Sequence, residues 1–207
     1  MEELLTALAV VFLLVMGFKA FRGYGAYRKS VLRYLFGSYL EYFWNVSFRE
    51  DLSRSAFLSD QIGYHRLAFN AYRNASTQQM IPFTTVFTLH GPVCLAEVHG
   101  DGVIEVAESG VWHRTTENGE RVVFPSPIPA LRQQISFMRS IIGALDTSFV
   151  LVFDNDARID GVTCEHLCIQ ARDVLRVLEG ESANVSELAI DEAFEAFKNA
   201  ARDAAGR

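Results

Sequence analysis

Residues 4–18 run Leu-Leu-Thr-Ala-Leu-Ala-Val-Val-Phe-Leu-Leu-Val-Met-Gly-Phe without a charge. As a helix these 15 residues reach about 22 Å, whereas a hydrocarbon core of about 30 Å takes roughly 20 residues. Extension to Phe21 closes most of the difference, because Lys19 can carry its ammonium to the headgroups. The expectation is an N-terminal transmembrane anchor over residues 1–22. Leu4, Leu5, Leu8, Val11, Phe12, Leu14, Val15 and Phe18 would face lipid, and Lys19, Arg22, Arg28 and Lys29 would meet headgroups. All the nearby basic residues follow the run and Glu2 and Glu3 precede it. The positive-inside rule then places the N-terminus outside and the globular part in the cytoplasm, as a single-pass protein. A cleaved signal peptide would want a basic start and a small-residue cleavage site. Neither is present here.

About 180 residues follow the anchor, enough for one domain with a core. Residues 1–80 hold 9 Lys/Arg and 6 Asp/Glu, a net of +3; residues 81–207 hold 10 and 19, a net of −9, which sum to −6. The positive part sits where anionic lipid would attract it. The negative part is a poor footprint for nucleic acid. The three cysteines, Cys94, Cys164 and Cys168, form no regular framework and suit a reducing compartment. Sequons at Asn45, Asn74 and Asn184 carry no weight in a cytoplasmic domain.

Beyond the anchor the chain divides into a juxtamembrane helical region (23–80), an α/β core (81–180) and a C-terminal helix (181–207). Gly23-Tyr24-Gly25 is expected to break the anchor. Tyr27 to about Tyr42 reads as a helix. The aromatics between Tyr34 and Phe48 suit either an interfacial belt or core packing. Ser59 is expected to cap a helix from Asp60 to about Asn74.

Strands follow at Thr84–Leu89, Val93–Val98, Val103–Ala107, Val111–Arg114 and Arg121–Phe124, with Gly100-Asp101-Gly102 as a tight hairpin turn and Glu108-Ser109-Gly110 as the next connection. A proline-rich stretch (125–129) stops regular structure. Leu131–Leu145 reads as a helix. Ser148–Phe153 is a continuous apolar strand of the kind buried on both faces, with Asp154-Asn155-Asp156 as a loop at its end. A strand at His166–Ile169, a helix at Ala171–Leu178 and a helix from Glu187 capped by Ser186 complete the pattern. The fold class is α/β, a mixed central sheet flanked by helices.

This order resembles the NERD (nuclease-related) domain, a branch of the PD-(D/E)xK restriction-endonuclease-like superfamily. The matching residues run from about Thr85 to Leu178. Gly91-Pro92-Val93-Cys94-Leu95-Ala96-Glu97-Val98-His99 looks like the family's glycine, buried strand and Glu-x-Lys. Gly102-Val103-Ile104 resembles its next strand, and Gly110-Val111-Trp112 its tryptophan. Phe124-Pro125-Ser126-Pro127-Ile128 resembles its Asn-Pro-Ile stretch, with Gln133 or Gln134 near the family's glutamine. The resemblance implies a restriction-endonuclease-like fold and a cradle in which carboxylates hold a divalent cation such as Mg²⁺ and a lysine positions water. The chain departs from that pattern. The family's strand aspartate falls at Pro82 or Phe83, its lysine at His99, and its helical glutamate at Ala26; Gln61-Ile62-Gly63 matches a Gln-Ile-Asp without the acid. Glu97 survives.

Glu97 and His99 alternate on a strand, so they share a face. With Asp101 they make the candidate residual site: Glu97 and His99 for catalysis, Glu97 and Asp101 for metal. Cys164, His166 and Cys168 also alternate and are candidate zinc ligands, without an evident fourth. Asp154, Asp156 and Asp160 resemble a solvated acidic loop more than a calcium loop. Ile190, Ala193, Phe194 and Phe197 form one apolar stripe, as packing on the domain requires. The expected function is a membrane-anchored module with a degenerate nuclease-like centre, one that binds rather than cuts and needs no cofactor. Its expected partners are membrane lipid and a protein partner or a second copy. The alternatives are an active metal-dependent nuclease using a divalent cation such as Mg²⁺, or DNA tethering without cleavage. The sequence assigns no residue to nucleic-acid contact.

Overall fold

A computed structural model describes residues 2–49, 51–73, 80–106, 111–143, 145–180 and 185–205. The connection at 108–110 and the sequons at Asn74 and Asn184 lie outside them. The first helix, α1, spans Glu2–Lys29 without interruption. It contains a stretch, Leu4–Lys29, long and apolar enough to cross a membrane, and the apolar window within it is not buried against the rest of the chain. Gly23 and Gly25 therefore do not break it. Glycine in a helix costs only about 1 kcal/mol relative to alanine, which the surrounding turns absorb.

The helix expected over Tyr27–Tyr42 is in fact three pieces: the end of α1, then α2 (Leu32–Phe36) and α3 (Tyr39–Trp44). Gly37, at φ 62°, separates the last two, a conformation that favours glycine. A π-helical turn, Asn45–Arg49, follows α3. The next helix, α4 (Ala56–Ile62), is capped by Ser55, whose hydroxyl accepts from the Leu58 N–H at 3.1 Å. Ser59 lies inside α4 and is not the cap. The helix expected to run on to Asn74 gives way to strand β1, His65–Arg73. Successive residues of β1 face opposite sides of the sheet, Leu67 packing on one face and Ala68 on the other. Nine antiparallel pairs with β2 (Met80–Thr88) complete the ladder.

The remaining strands are β3 (Gly91–Val98), β4 (Gly102–Val106), β5 (Trp112–Thr115), β6 (Arg121–Val123), β7 (Ser148–Phe153), β8 (Ala157–Gly161) and β9 (Leu167–Gln170). Helix α5 (Ile128–Ile142) joins β6 to β7; α6 (Val174–Leu178) and α7 (Glu187–Ala205) close the chain. Pro129 stands in the first turn of α5, where a missing N–H costs nothing, so the proline-rich stretch opens this helix rather than excluding it. Among the described residues the strands form two mixed sheets, ordered β1-β2-β3-β7-β9 and β6-β5-β4-β8. The residues around Gly100–Gly102 are therefore not a hairpin: β3 and β4 belong to different sheets. Strand β8 had no counterpart among the expected elements.

In the five-stranded sheet β1, β2 and β3 run antiparallel, while β7 and β9 run parallel to β3 and to each other. Alternate residues of β3 and β7 feed two cores. Cys94, Ala96, Val98, Leu151 and Phe153 pack with α5, α7 and the smaller sheet. Val93, Leu95, Val150 and Val152 pack with Tyr27, Val31, Leu35, Phe36, Leu58 and Val174. Both central strands are thus covered on both faces, as their continuous apolar sequences require. The stripe on α7 is buried, with Phe197 packed edge-on against Phe87 and Phe137.

Candidate functional site

Strands β3 and β7 leave the large sheet side by side. Val98 pairs with Phe153, and both chains pass on into β4 and β8, which pair in parallel in the second sheet. Loops 99–101 and 154–156 therefore lie together at the carboxyl ends of two parallel strands, where open α/β sheets commonly bind ligands. The carboxyl end of α1 and the turn into α2 form the opposite wall. Between them lies a cleft of about 810 Å³ lined by Arg28, Lys29, Arg33, His99, Asp154 and Asn155, among others.

Glu97 lies beneath this cleft, on the face of β3 turned toward α1 and α2. It is 8% exposed, and its Oε2 accepts the Val31 N–H at 3.1 Å. Val31 lies between α1 and α2, so its amide is one of the donors that the start of a helix leaves without an intrahelical partner. The carboxylate thus ties the end of the apolar helix to the central sheet. Burial raises the Glu97 pKa, opposed by the Val31 hydrogen bond, by nearby His99 and by a hydrogen bond with Thr84, and reinforced by Asp154. Phe83 stands opposite Ala96 in the β2–β3 register, which brings Pro82 level with Glu97. A proline occupies the place from which a neighbouring strand would offer a second acid.

His99 Nδ1 lies 3.1 Å from Asp154 Oδ1, and the Gly100 N–H donates to Asp154 Oδ2 at 3.0 Å. The hydrogen bond to Asp154 raises the His99 pKa, against burial and Lys29. Asp101 is drawn away from Glu97 and pairs with Arg114 at 2.8 Å. The expected trio is therefore regrouped. Glu97 and His99 are neighbours, Asp101 is ion-paired elsewhere, and Asp154 takes its place at the histidine. Asp154 follows a buried apolar strand directly, and that position was the sequence signal for its placement. Arg33 is the other cleft residue that the strand motif could not reveal, because it arrives from the helical wall.

The other candidates lie apart. Cys164 and Cys168 approach to 3.1 Å between sulfurs, and the His166 ring turns toward Glu165 at 3.6 Å. Burial, then Cys164, pushes the Cys168 thiol up. Cys94 is fully enclosed, and burial pushes it up to about 12. Gln134 is buried and hydrogen-bonded to Asn70 and Cys94. Among the described residues no three His, Cys, Asp or Glu side chains converge closely enough to share a cation. The Asp160 side chain lies outside the described set. Asn45 is 6% exposed, too enclosed to accept a glycan in the folded state. Comparison of the chain with protein-family models, curated proteins and solved structures finds no match.

Proposed function

We propose that this chain is a membrane-anchored, nuclease-like binding module whose catalytic centre is degenerate, with its globular part in the cytoplasm. The observation that carries this reading is the state of Glu97, buried and bound to the Val31 amide, with Pro82 at its level on β2. A hard divalent cation needs several oxygen ligands. The acid that the family resemblance calls for opposite Glu97 is replaced by a ring that cannot ligate. The element order supports the restriction-endonuclease-like reading: three antiparallel strands, a crossover through α5, then a buried parallel strand. The apolar α1 supports the anchor.

Asp154 favours a second reading, a metal-dependent nuclease. It brings one carboxylate to His99 and acts electrostatically on Glu97. A plasmid-nicking assay with Mg²⁺ and with Mn²⁺ separates the two. The binding module leaves supercoiled DNA intact with either ion. Metal-dependent nicking that disappears in Glu97→Ala establishes the nuclease and overturns the first reading.

A further inference from the structure

We infer that the cleft between the end of α1 and loops 99–101 and 154–156 holds a phosphate group, presented by an anionic lipid headgroup or carried by a soluble phosphate. This deepens the binding-module reading and rests on it.

The electrostatics carry the inference. Arg28, Lys29 and Arg33 line the cleft, and among the described residues none of the three forms an ion pair with a carboxylate. Of the acids lining it, Asp154 is taken by His99 and the Gly100 amide, and Asp101 by Arg114. Asp156 is left as one carboxylate against three cations. Lys29 also acts on His99, opposing its protonation. An anion placed between them relieves that repulsion. Two arginines and a lysine lining one cleft suit a phosphate, which accepts forked hydrogen bonds from arginine. The Asn155 amide donates to the Tyr34 hydroxyl of α2 and its carbonyl accepts from the Arg172 N–H, so loop 154–156 is tied to the helical wall.

Position favours the lipid source. Apolar sequence in α1 ends at Phe21, and Tyr24–Lys29 continue the same helix. At about 1.5 Å per residue they lie roughly 5–12 Å beyond the hydrocarbon, where the headgroups begin to give way to water. The Tyr39 hydroxyl donates to the Ala20 carbonyl at 2.5 Å, holding α3 against the same part of α1. Exposed Leu40, Trp44 and Phe48 stand on that segment, a composition suited to the membrane interface.

The test uses the full chain in phosphatidylcholine nanodiscs containing a minor fraction of phosphatidic acid. Native mass spectrometry then counts the lipids retained on release. The comparison is between wild type, the cleft variant Arg28→Gln/Lys29→Gln/Arg33→Gln, and Lys19→Gln/Arg22→Gln, which removes charge from the same helix outside the cleft. A second arm titrates inorganic phosphate into the chain in phosphatidylcholine alone and follows the His99 imidazole resonance. A lipid ligand predicts phosphatidic acid enrichment that falls about fivefold per cleft charge removed and by a smaller factor per charge in Lys19→Gln/Arg22→Gln. A soluble ligand predicts a saturable His99 shift that the cleft variant loses. Equal losses of enrichment in both variants, with an unmoved His99 resonance, overturn the site. A chain that does not enter nanodiscs contradicts the anchor instead, and the phosphate arm repeated in detergent then decides the cleft alone.

Discussion

Glu97 is held in a nearly dry position by the Val31 amide and by Thr84, which makes its substitutions informative. Glutamine keeps an acceptor for Val31 and removes the cost of burying charge. Alanine leaves a buried N–H without a partner. Glu97→Ala is expected to lose about 1–3 kcal/mol, and Glu97→Gln to stay within about 1 kcal/mol of wild type, measured by denaturant unfolding of the full chain in detergent. Two histidines give opposite pH signatures. His65 is buried, accepts the Ser55 N–H at Nε2, and has Nδ1 against the Gly63 carbonyl. Burial lowers its pKa from 6.5, so its contribution to stability is complete above 6.5 and is lost as pH falls through the lower folded value. His99 is raised from 6.5 by Asp154, so its contribution is complete below 6.5 and is lost as pH rises through the folded value. The His99 effect therefore lies above pH 6.5 and the His65 effect below it. As pH is lowered, melting temperatures should gain less above 6.5 in His99→Asn, and lose less below 6.5 in His65→Asn, than in wild type.

Among the elements, α7 and α3 make contrasting predictions. Helix α7 lays Ile190, Ala193, Phe194 and Phe197 on β1, β2 and α5, and Asp191 ties it to Arg66 and Tyr64 at 2.7 Å each. Phe197→Ala should cost about 3–5 kcal/mol, seen as an earlier unfolding midpoint, because this face belongs to the core and not to a partner. Helix α3 ends in Trp44, 52% exposed, whereas Trp112 is 3% exposed and stacked on Phe153. In vesicles of brominated lipid, Trp44 emission should be quenched and Trp112 emission retained, read in the two single-tryptophan variants. The elements with continuous or strongly periodic apolar sequence were legible from the chain: β3, β7, α5, α7 and the apolar body of α1. Strand β1 was not, because His65–Arg73 mixes polar residues with alanines, and its conformation comes from pairing with β2. The two-sheet arrangement was also hidden. Gly100–Gly102 looks locally like a hairpin turn. Gly102, at φ 77° with the Thr115 carbonyl where a Cβ would stand, instead serves the passage from one sheet to the other. For the site, strand alternation identified Glu97 and His99 as neighbours. Nothing in the spacing could say that Asp101 would turn to Arg114 or that Val31 would cap the glutamate.

The whole molecule joins an apolar helix, a sheet covered on both faces, and a cleft where the two meet. The helix does not stop where its apolar sequence ends: its last turns form part of the domain, with Tyr27 in the core and Val31, just beyond the helix, beside it. The end of the apolar helix therefore forms part of the cleft. If the domain faces the cytoplasm, trypsin added outside intact cells leaves it whole, and trypsin added to inverted vesicles digests it. The central claim is that the surviving glutamate ties helix to sheet and no longer holds an ion. Calorimetric titration of Mn²⁺ into the full chain and into Glu97→Gln tests it most directly. Superimposed isotherms are predicted; a saturable site in wild type that vanishes in Glu97→Gln would contradict the account.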